Sequence, residues 1–424
     1  MRVEQQVRTA DAEGRPRVAP TPRAPARPSR GRPWAVGLSV LACAASLVAG
    51  FMVAQSDTVD PVGGQGIAQA TAALPNTSGE TTAATPVPAP AATTLAVPGT
   101  CPDPRAWPTQ QLAQLLVVPG FNADGGWPAW LSPGVGGVFL PTGSGGLNAG
   151  TFKTGLPSTP QPFVSVDYEG GLVSDFANLL GPMPAPRDQV MTMSPEQVRA
   201  LAAERAGAMQ YYGINVDYAP VVDLDLGSPI VGNRSYGSDP GTVVTYAGAF
   251  SDGLRDNGVL PVLKHFPGHG SASGDSHKSL VVTEPWEVLK NRDVLVYKEL
   301  LARPGPWMVM MGHLVVPGLS FDAETPSSVD PAAYRALRET TGFTGPIITD
   351  DLAAMKAITD RLTVPQAVVS AVSGGADMAL ISEASQYWDS VAALAAWADA
   401  DPAKRQQLVD SALRSLTALP CGRP

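Results

Sequence analysis

Residues 260–277 read LPVLKHFPGHGSASGDSH. An apolar run, Leu260–Leu263, gives way without a spacer to a lysine, a histidine and a loop of glycine and proline. A short apolar run bounded by turn residues reads as a buried strand. A cation and histidines at its end read as a strand that delivers chemistry to one rim of a sheet. Working outward, seven more such runs appear: Leu115–Pro119, Gly136–Leu140, Phe163–Val166, Ile214–Tyr218, Met308–Met311, Pro346–Thr349 and Asp377–Ile381. Helical patterns, among them Pro195–Tyr212, Pro331–Thr340 and Pro402–Leu416, fill the intervals. Strands alternating with helices predict an α/β fold, a single (β/α)8 TIM-like barrel over residues 101–424. An open doubly wound sheet is the rival, but no G-x-G-x-x-G follows the first run.

The ends of these runs are chemically loaded. The third leads into Asp167-Tyr168-Glu169-Gly170-Gly171, the sixth into Gly312-His313 and the seventh into Asp350-Asp351. All four histidines follow the fifth and sixth runs. His265, His269 and His277 with Asp275 could hold a metal, but H-x3-H-x7-H is not a standard ligand spacing and a Gly-rich loop is a poor frame. They could instead hydrogen-bond the loop itself, the reading favoured for His269. In the third reading Asp275 orients and charges His277, making it a general acid and base. Asp350 and Asp351 leave a strand on opposite faces. Asp350 is the candidate nucleophile and Asp351 a brace or cap for the following helix; a plain N-cap is the alternative for either.

Outside the barrel the chain changes character. Residues 1–33 carry eight arginines and three acids, whereas the whole chain has a net charge of −9. That balance argues against broad nucleic-acid binding. Residues 34–54, WAVGLSVLACAASLVAGFMVA, hold no charge over 21 positions, long enough to span a bilayer. Arginines before it leave a basic cytoplasmic tail and an extracellular, wall-facing domain. Cys43 offers a competing lipid-anchor reading. Residues 55–100, rich in Ala, Thr and Pro, read as a disordered linker. Cys101 and Cys421 bracket the remainder and, in an oxidising compartment, are expected to form one disulfide; two unrelated thiols are the alternative. Hydrophobic residues make up 44% of the 424 and charged residues 16%, so a core is affordable and wholesale disorder is excluded.

Lys264–Gly270 (KHFPGHG), followed after four residues by Asp275-Ser276-His277, resembles glycoside hydrolase family 3, in particular its bacterial β-N-acetylglucosaminidase (β-N-acetylhexosaminidase) branch. Ala219-Pro220-Val221-Val222-Asp223, Gly232–Gly237 (GNRSYG), Asp167–Gly171 and Thr349-Asp350-Asp351-Leu352 resemble further segments of that family, in family order over roughly residues 110–385. The resemblance implies a retaining exo-glycosidase removing terminal β-N-acetylglucosamine from peptidoglycan fragments or other wall glycans. Asp350 would be the nucleophile, and His277, held by Asp275, the acid and base. Asp167, Arg234, Lys264 and His265 would bind the sugar, although a rim ion pair is the bland alternative for each cation. No metal or other cofactor is implied, and the chain is expected to act as a monomer. A phosphorylase on the same site and a non-catalytic wall-glycan-binding barrel are the alternatives. Tyr168 stands where the family has glutamine, Leu172-Val173-Ser174-Asp175 replaces R-V-x-R, and the methionine after D-D-L falls one place late, at Met355.

Overall fold

The computed structural model describes residues 103–123, 127–131, 134–141, 147, 149–156 and 161–418. Eight parallel strands lie at the expected runs: β1 Val117–Pro119, β2 Gly137–Phe139, β3 Phe163–Val166, β4 Val216–Asp217, β5 Leu260–Phe266, β6 Met308–Met311, β7 Ile347–Thr349 and β8 Ala379–Ile381. A continuous ladder runs β2-β3-β4-β5-β6-β7, and β1 pairs with β8 as a separate ladder. Single bridges, Gly120 to Phe139 and Ile348 to Met378, link the two. The expected single (β/α)8 barrel behind a membrane anchor is therefore corrected. The ladder is a curled six-stranded parallel sheet, resembling a half-barrel, to which the β1–β8 pair is joined by isolated bridges. The reason lies in strand length at the two seams. β1, β2, β7 and β8 have three residues each, and each bridge uses a residue just outside a strand, Gly120 after β1 and Met378 before β8. An offset of that kind between such short strands leaves one bridged pair where a ladder needs more.

No helix among the described residues is long and apolar enough to cross a membrane. The segments 1–33, 34–54 and 55–100, with Cys43, and the cysteines Cys101 and Cys421, lie outside the described residues.

Period-two alternation builds the core. Val118, Phe163, Met308, Met310, Ile348 and Leu380 form one apolar cluster. Their chain neighbours Val117, Val164, Val309, Met311, Ile347 and Ala379 belong to a second, larger one with the helices. The first set faces the inside of the curl and the second faces the helical layer. Helix starts follow local chemistry. Ser194 and Gln197 form a capping box ahead of Pro195–Tyr212, and Asp239 and Asp330 cap Pro240–Asp256 and Pro331–Thr341, each helix opening on proline.

One buried carboxylate staples the C-terminal helix to the sheet. Asp377 is fully buried; it accepts from Arg338 (2.8 Å), Arg414 (2.6 Å) and the Ile347 amide (2.8 Å). Removing one member of a buried ion network strands the others. Asp377→Ala is expected to lower stability by about 3–5 kcal/mol in urea denaturation at neutral pH; an unchanged midpoint would refute the staple.

Candidate active site

The parity of the strands aims the site. In β7, Ile347 faces the helices and Ile348 the interior, so Asp350 follows Ile348 onto the inner face. The same counting puts Asp167 and Glu169 inward after β3, and Tyr168 outward. Tyr168 is buried away from the site, its amide donating to Asp217 Oδ1 (3.0 Å) and its hydroxyl to the Gly181 carbonyl. These ends surround a cavity of about 250 Å³. Asp167, Arg234, Lys264, His265, His277 and Asp350 all line it. Asp275 stands behind His277.

Two cations are fixed in its wall by a carboxylate that the sequence reading left without a role. Glu169 is fully buried and takes Arg234 Nε and Nη2 in a two-pronged pair, both at 2.7 Å, and Lys264 Nζ at 2.6 Å. Lys264 also bonds Asp167. The ion pairs foreseen as the bland alternative for Arg234 and Lys264 do exist, but in the cavity wall and not on an outer rim. Burial works against the Glu169 charge, yet Lys264 and Arg234 outweigh it and hold the carboxyl down at about 2. Burial likewise opposes the Lys264 charge, and Asp167 and Glu169 reverse it, keeping the ammonium protonated.

The KHFPGHG loop is organised by Asp223, a second carboxylate that the sequence reading left without a role. Asp223 is buried; its Oδ2 meets His265 Nδ1 at 2.7 Å and the His265 amide at 3.2 Å, and its Oδ1 accepts from the His269 amide at 2.6 Å. His265 Nε2 then lies 4.0 Å from Asp350 Oδ2. The glycines are demanded by crowding. A Cβ on Gly270 would sit 1.8 Å from the Leu224 carbonyl oxygen, and one on Gly268, at φ +140°, would sit 2.7 Å from Asp293 Oδ1. His269 is buried, with Nδ1 at 3.4 Å from Ser228 Oγ, which suits the loop-supporting role favoured for it. Among the described residues no group of three or more His, Cys, Asp or Glu side chains is arranged to hold a metal ion.

Asp350 is held ionised on the cavity floor. Burial opposes its charge, but His265, the Asp351 amide (2.9 Å to Oδ1) and Lys264 outweigh that, keeping its carboxyl below the usual range. Asp351 turns away and accepts from the Ala353 (2.9 Å) and Ser382 (3.0 Å) amides, tying the end of β7 to the end of β8. The sequence predicts a brace or cap for the following helix; Asp351 braces two strand ends instead, and Met355 occupies the N-cap position of Lys356–Thr359.

His277 sits at the mouth, half exposed. Its Nδ1 lies 2.8 Å from Asp275 Oδ1, which also accepts from the His277 amide at 3.0 Å. Burial would raise the Asp275 carboxyl, but Lys278 and His277 hold it down at about 2. Nδ1 being engaged, Nε2 is the nitrogen left for a ligand. Ser276 ties this turn to the Asp350 loop: its carbonyl accepts from the Ala357 amide (3.1 Å) and its Oγ meets Met355 Sδ at 3.5 Å. The displaced methionine stands at the N-cap position of Lys356–Thr359, with no capping hydrogen bond from its side chain, and lines the cavity. The loop bearing His277 has a small core of its own: Ala272, Val281, Leu289, Leu314 and Val316, with Val281–Val282 paired to Leu314–Val315.

Known proteins resemble this chain in sequence and in fold. The Glycosyl hydrolase family 3 N terminal domain matches residues 111–418. Beta-hexosaminidase LpqI of Mycobacterium tuberculosis is 41% identical over 362 residues, covering 81% of this chain and 86% of the relative. The solved structure of M. tuberculosis LpqI superposes with a TM-score of 0.69 at 37% identity, covering 78% of this chain and 99% of that one. A family 3 glycosyl hydrolase from Mycobacterium smegmatis gives 0.66 at 39% identity, covering 74% and 98%.

Proposed function

Because the chain belongs to glycosyl hydrolase family 3, we propose that it is a β-N-acetylhexosaminidase, a glycosidase that removes terminal N-acetylglucosamine from the end of a glycan. The observation that carries this reading is the division of labour in the cavity: an ionised Asp350 on the floor and the Asp275–His277 pair at the mouth. A glycosidase of retaining type needs one anion to attack and one group to carry a proton.

In the first step an Asp350 oxygen bonds to the anomeric carbon while the glycosidic bond breaks. The proton on His277 Nε2 passes to the departing oxygen. The imidazole that remains keeps its Nδ1–H on Asp275, so Nε2 is a base aimed at the same place. In the second step it takes a proton from water as the water oxygen displaces Asp350. Asp275 acts through His277 and fixes both its orientation and its tautomer. Arg234, Lys264, Asp167 and His265 bind the sugar hydroxyls, with Glu169 holding the two cations in place. A cavity of about 250 Å³ suits a single sugar unit, being small against the roughly 300–1,000 Å³ of pockets for larger ligands.

The test is turnover of a series of aryl β-N-acetylglucosaminides alongside the matching β-glucosides. The N-acetylglucosaminides are expected to be hydrolysed preferentially. With His277→Ala, substrates with poor leaving groups are expected to slow about 10²–10⁴-fold, and those with good leaving groups far less in the first step, because they need no proton. Uniform slowing across the series would remove His277 from the acid role. Absence of turnover by folded protein would sink the hydrolase reading.

A further inference from the structure

His313 has no role in the reaction just described, yet it is built into the turn that carries the nucleophile. It is buried at the end of β6. Its Nε2 lies 2.9 Å from the Asp351 carbonyl oxygen and its Nδ1 2.6 Å from Ser328 Oγ. A carbonyl only accepts, so Nε2 carries a proton and donates. Burial favours the neutral ring, and Nδ1 then accepts from the Ser328 hydroxyl. The serine beside it clamps the backbone on both sides of the histidine: Ser327 Oγ donates to the Gly312 carbonyl (2.8 Å) and accepts from the Leu314 amide (3.3 Å). Ser328 is itself held through its carbonyl by the Tyr334 hydroxyl (2.5 Å). Ser327 and Ser328 are both fully buried.

We propose that His313 is a positioning residue for the nucleophile: by fixing the Asp351 carbonyl it sets the Asp350–Asp351 turn, and with it the direction of the Asp350 carboxylate. The geometry explains why the anchor is placed there. The Asp351 amide donates to Asp350 Oδ1, leaving the other carboxylate oxygen for attack. Asp351 is held at three points, by His313 on its carbonyl and by the Ala353 and Ser382 amides on its side chain. The Asp351 carbonyl belongs to the Asp351–Leu352 peptide, one link beyond the Asp350–Asp351 peptide whose amide serves Asp350, and releasing it frees rotation about Asp351 so that the turn shifts. The amide then loses its aim, the carboxylate is less stabilised and its attacking oxygen moves. This inference rests on Asp350 being the nucleophile.

The experiment compares His313→Ala, His313→Gln and Ser328→Ala on an aryl β-N-acetylglucosaminide with a good leaving group. Three readouts are taken: the single-turnover rate of the first step, its pH profile, and N-acetylglucosamine binding by calorimetry, each per folded molecule. His313→Ala is expected to slow the first step about 10²-fold, the scale of a reacting group misplaced by about 1 Å, to move the acid limb to higher pH, and to leave sugar binding unchanged. His313→Gln, whose amide can donate to the same carbonyl, is expected to recover much of the rate. Ser328→Ala is expected to show a weaker version of the same pattern, and these two variants carry the test if His313→Ala does not fold. An unchanged rate and acid limb per folded molecule, with only stability lowered, would reduce His313 to a packing residue and overturn the proposal. Turnover persisting in Asp350→Ala would instead overturn the nucleophile reading on which it rests.

Discussion

Asp350→Ala is expected to lower kcat on aryl β-N-acetylglucosaminides by about 10⁴-fold or more while leaving the fold intact. Loss of a covalent nucleophile removes the first step altogether, and losses of this order accompany it in enzymes that act through a covalent intermediate. The fold is expected to tolerate the change because Asp350 is an ionised group held in a cavity against its own desolvation. Its carboxylate makes one local hydrogen bond, to the next amide. Sugar binding, measured by calorimetry with N-acetylglucosamine, should survive, since the residues proposed to hold it stand elsewhere in the wall. Added azide gives the sharper check. It fits the space the carboxylate vacates and approaches the anomeric carbon from the same face, so the product is an α-glycosyl azide. Activity within tenfold of wild type would remove Asp350 from the nucleophile role.

Glu169→Gln carries the second large effect, on stability and activity together. The substitution keeps the shape but leaves the Arg234 guanidinium without its charged partner, in a wall where the glutamate side chain is fully buried. Breaking a buried pair costs about 3–5 kcal/mol. Lys264 keeps Asp167, which places the expected loss near the lower figure. The turnover rate should fall as well, because the cations lose the carboxylate that aims them. The pH dependence follows from the direction of the shift. The folded carboxyl titrates at about 2, below its ordinary 4.5. Its contribution is therefore fully present above pH 4.5 and is lost as the pH falls through about 2. The gap in urea midpoint between wild type and Glu169→Gln should be full at pH 6 and narrow toward pH 2. A gap that widens in acid would show that Glu169 is not the ionised partner.

The features legible in the sequence are the local ones. Strand positions follow from short apolar runs, and the inward aim of Asp350 from counting residues along β7. Pro195–Tyr212 begins where Ser194 and Gln197 can form a capping box, and Pro331–Thr341 where Asp330 can cap. What escaped depends on partners distant in the chain. Glu169 meets Arg234 across 65 residues and Asp223 meets His265 across 42. Neither pair has a spacing rule, because the sheet and not the sequence brings them together. Glu169 did leave a signal: it shares the inward parity of Asp167, two residues earlier, on a strand end that faces two cations. Sheet closure was illegible for a different reason. Apolar runs announce strands, but whether three-residue neighbours form a ladder or one bridge depends on their offset along the strand direction, which no run of residues records.

The small core beneath residues 272–289 bears on how such an enzyme can change over time. The nucleophile stands on the sheet, whereas the proton carrier stands on a loop with its own apolar support, which shares only the half-buried Trp286 and Leu319 with the main core. The loop meets the nucleophile's surroundings through the Ser276 carbonyl on the Ala357 amide and through Leu314 beside His313. Substitutions that spare those points can reshape the leaving-group side while the floor beneath is inherited with little change.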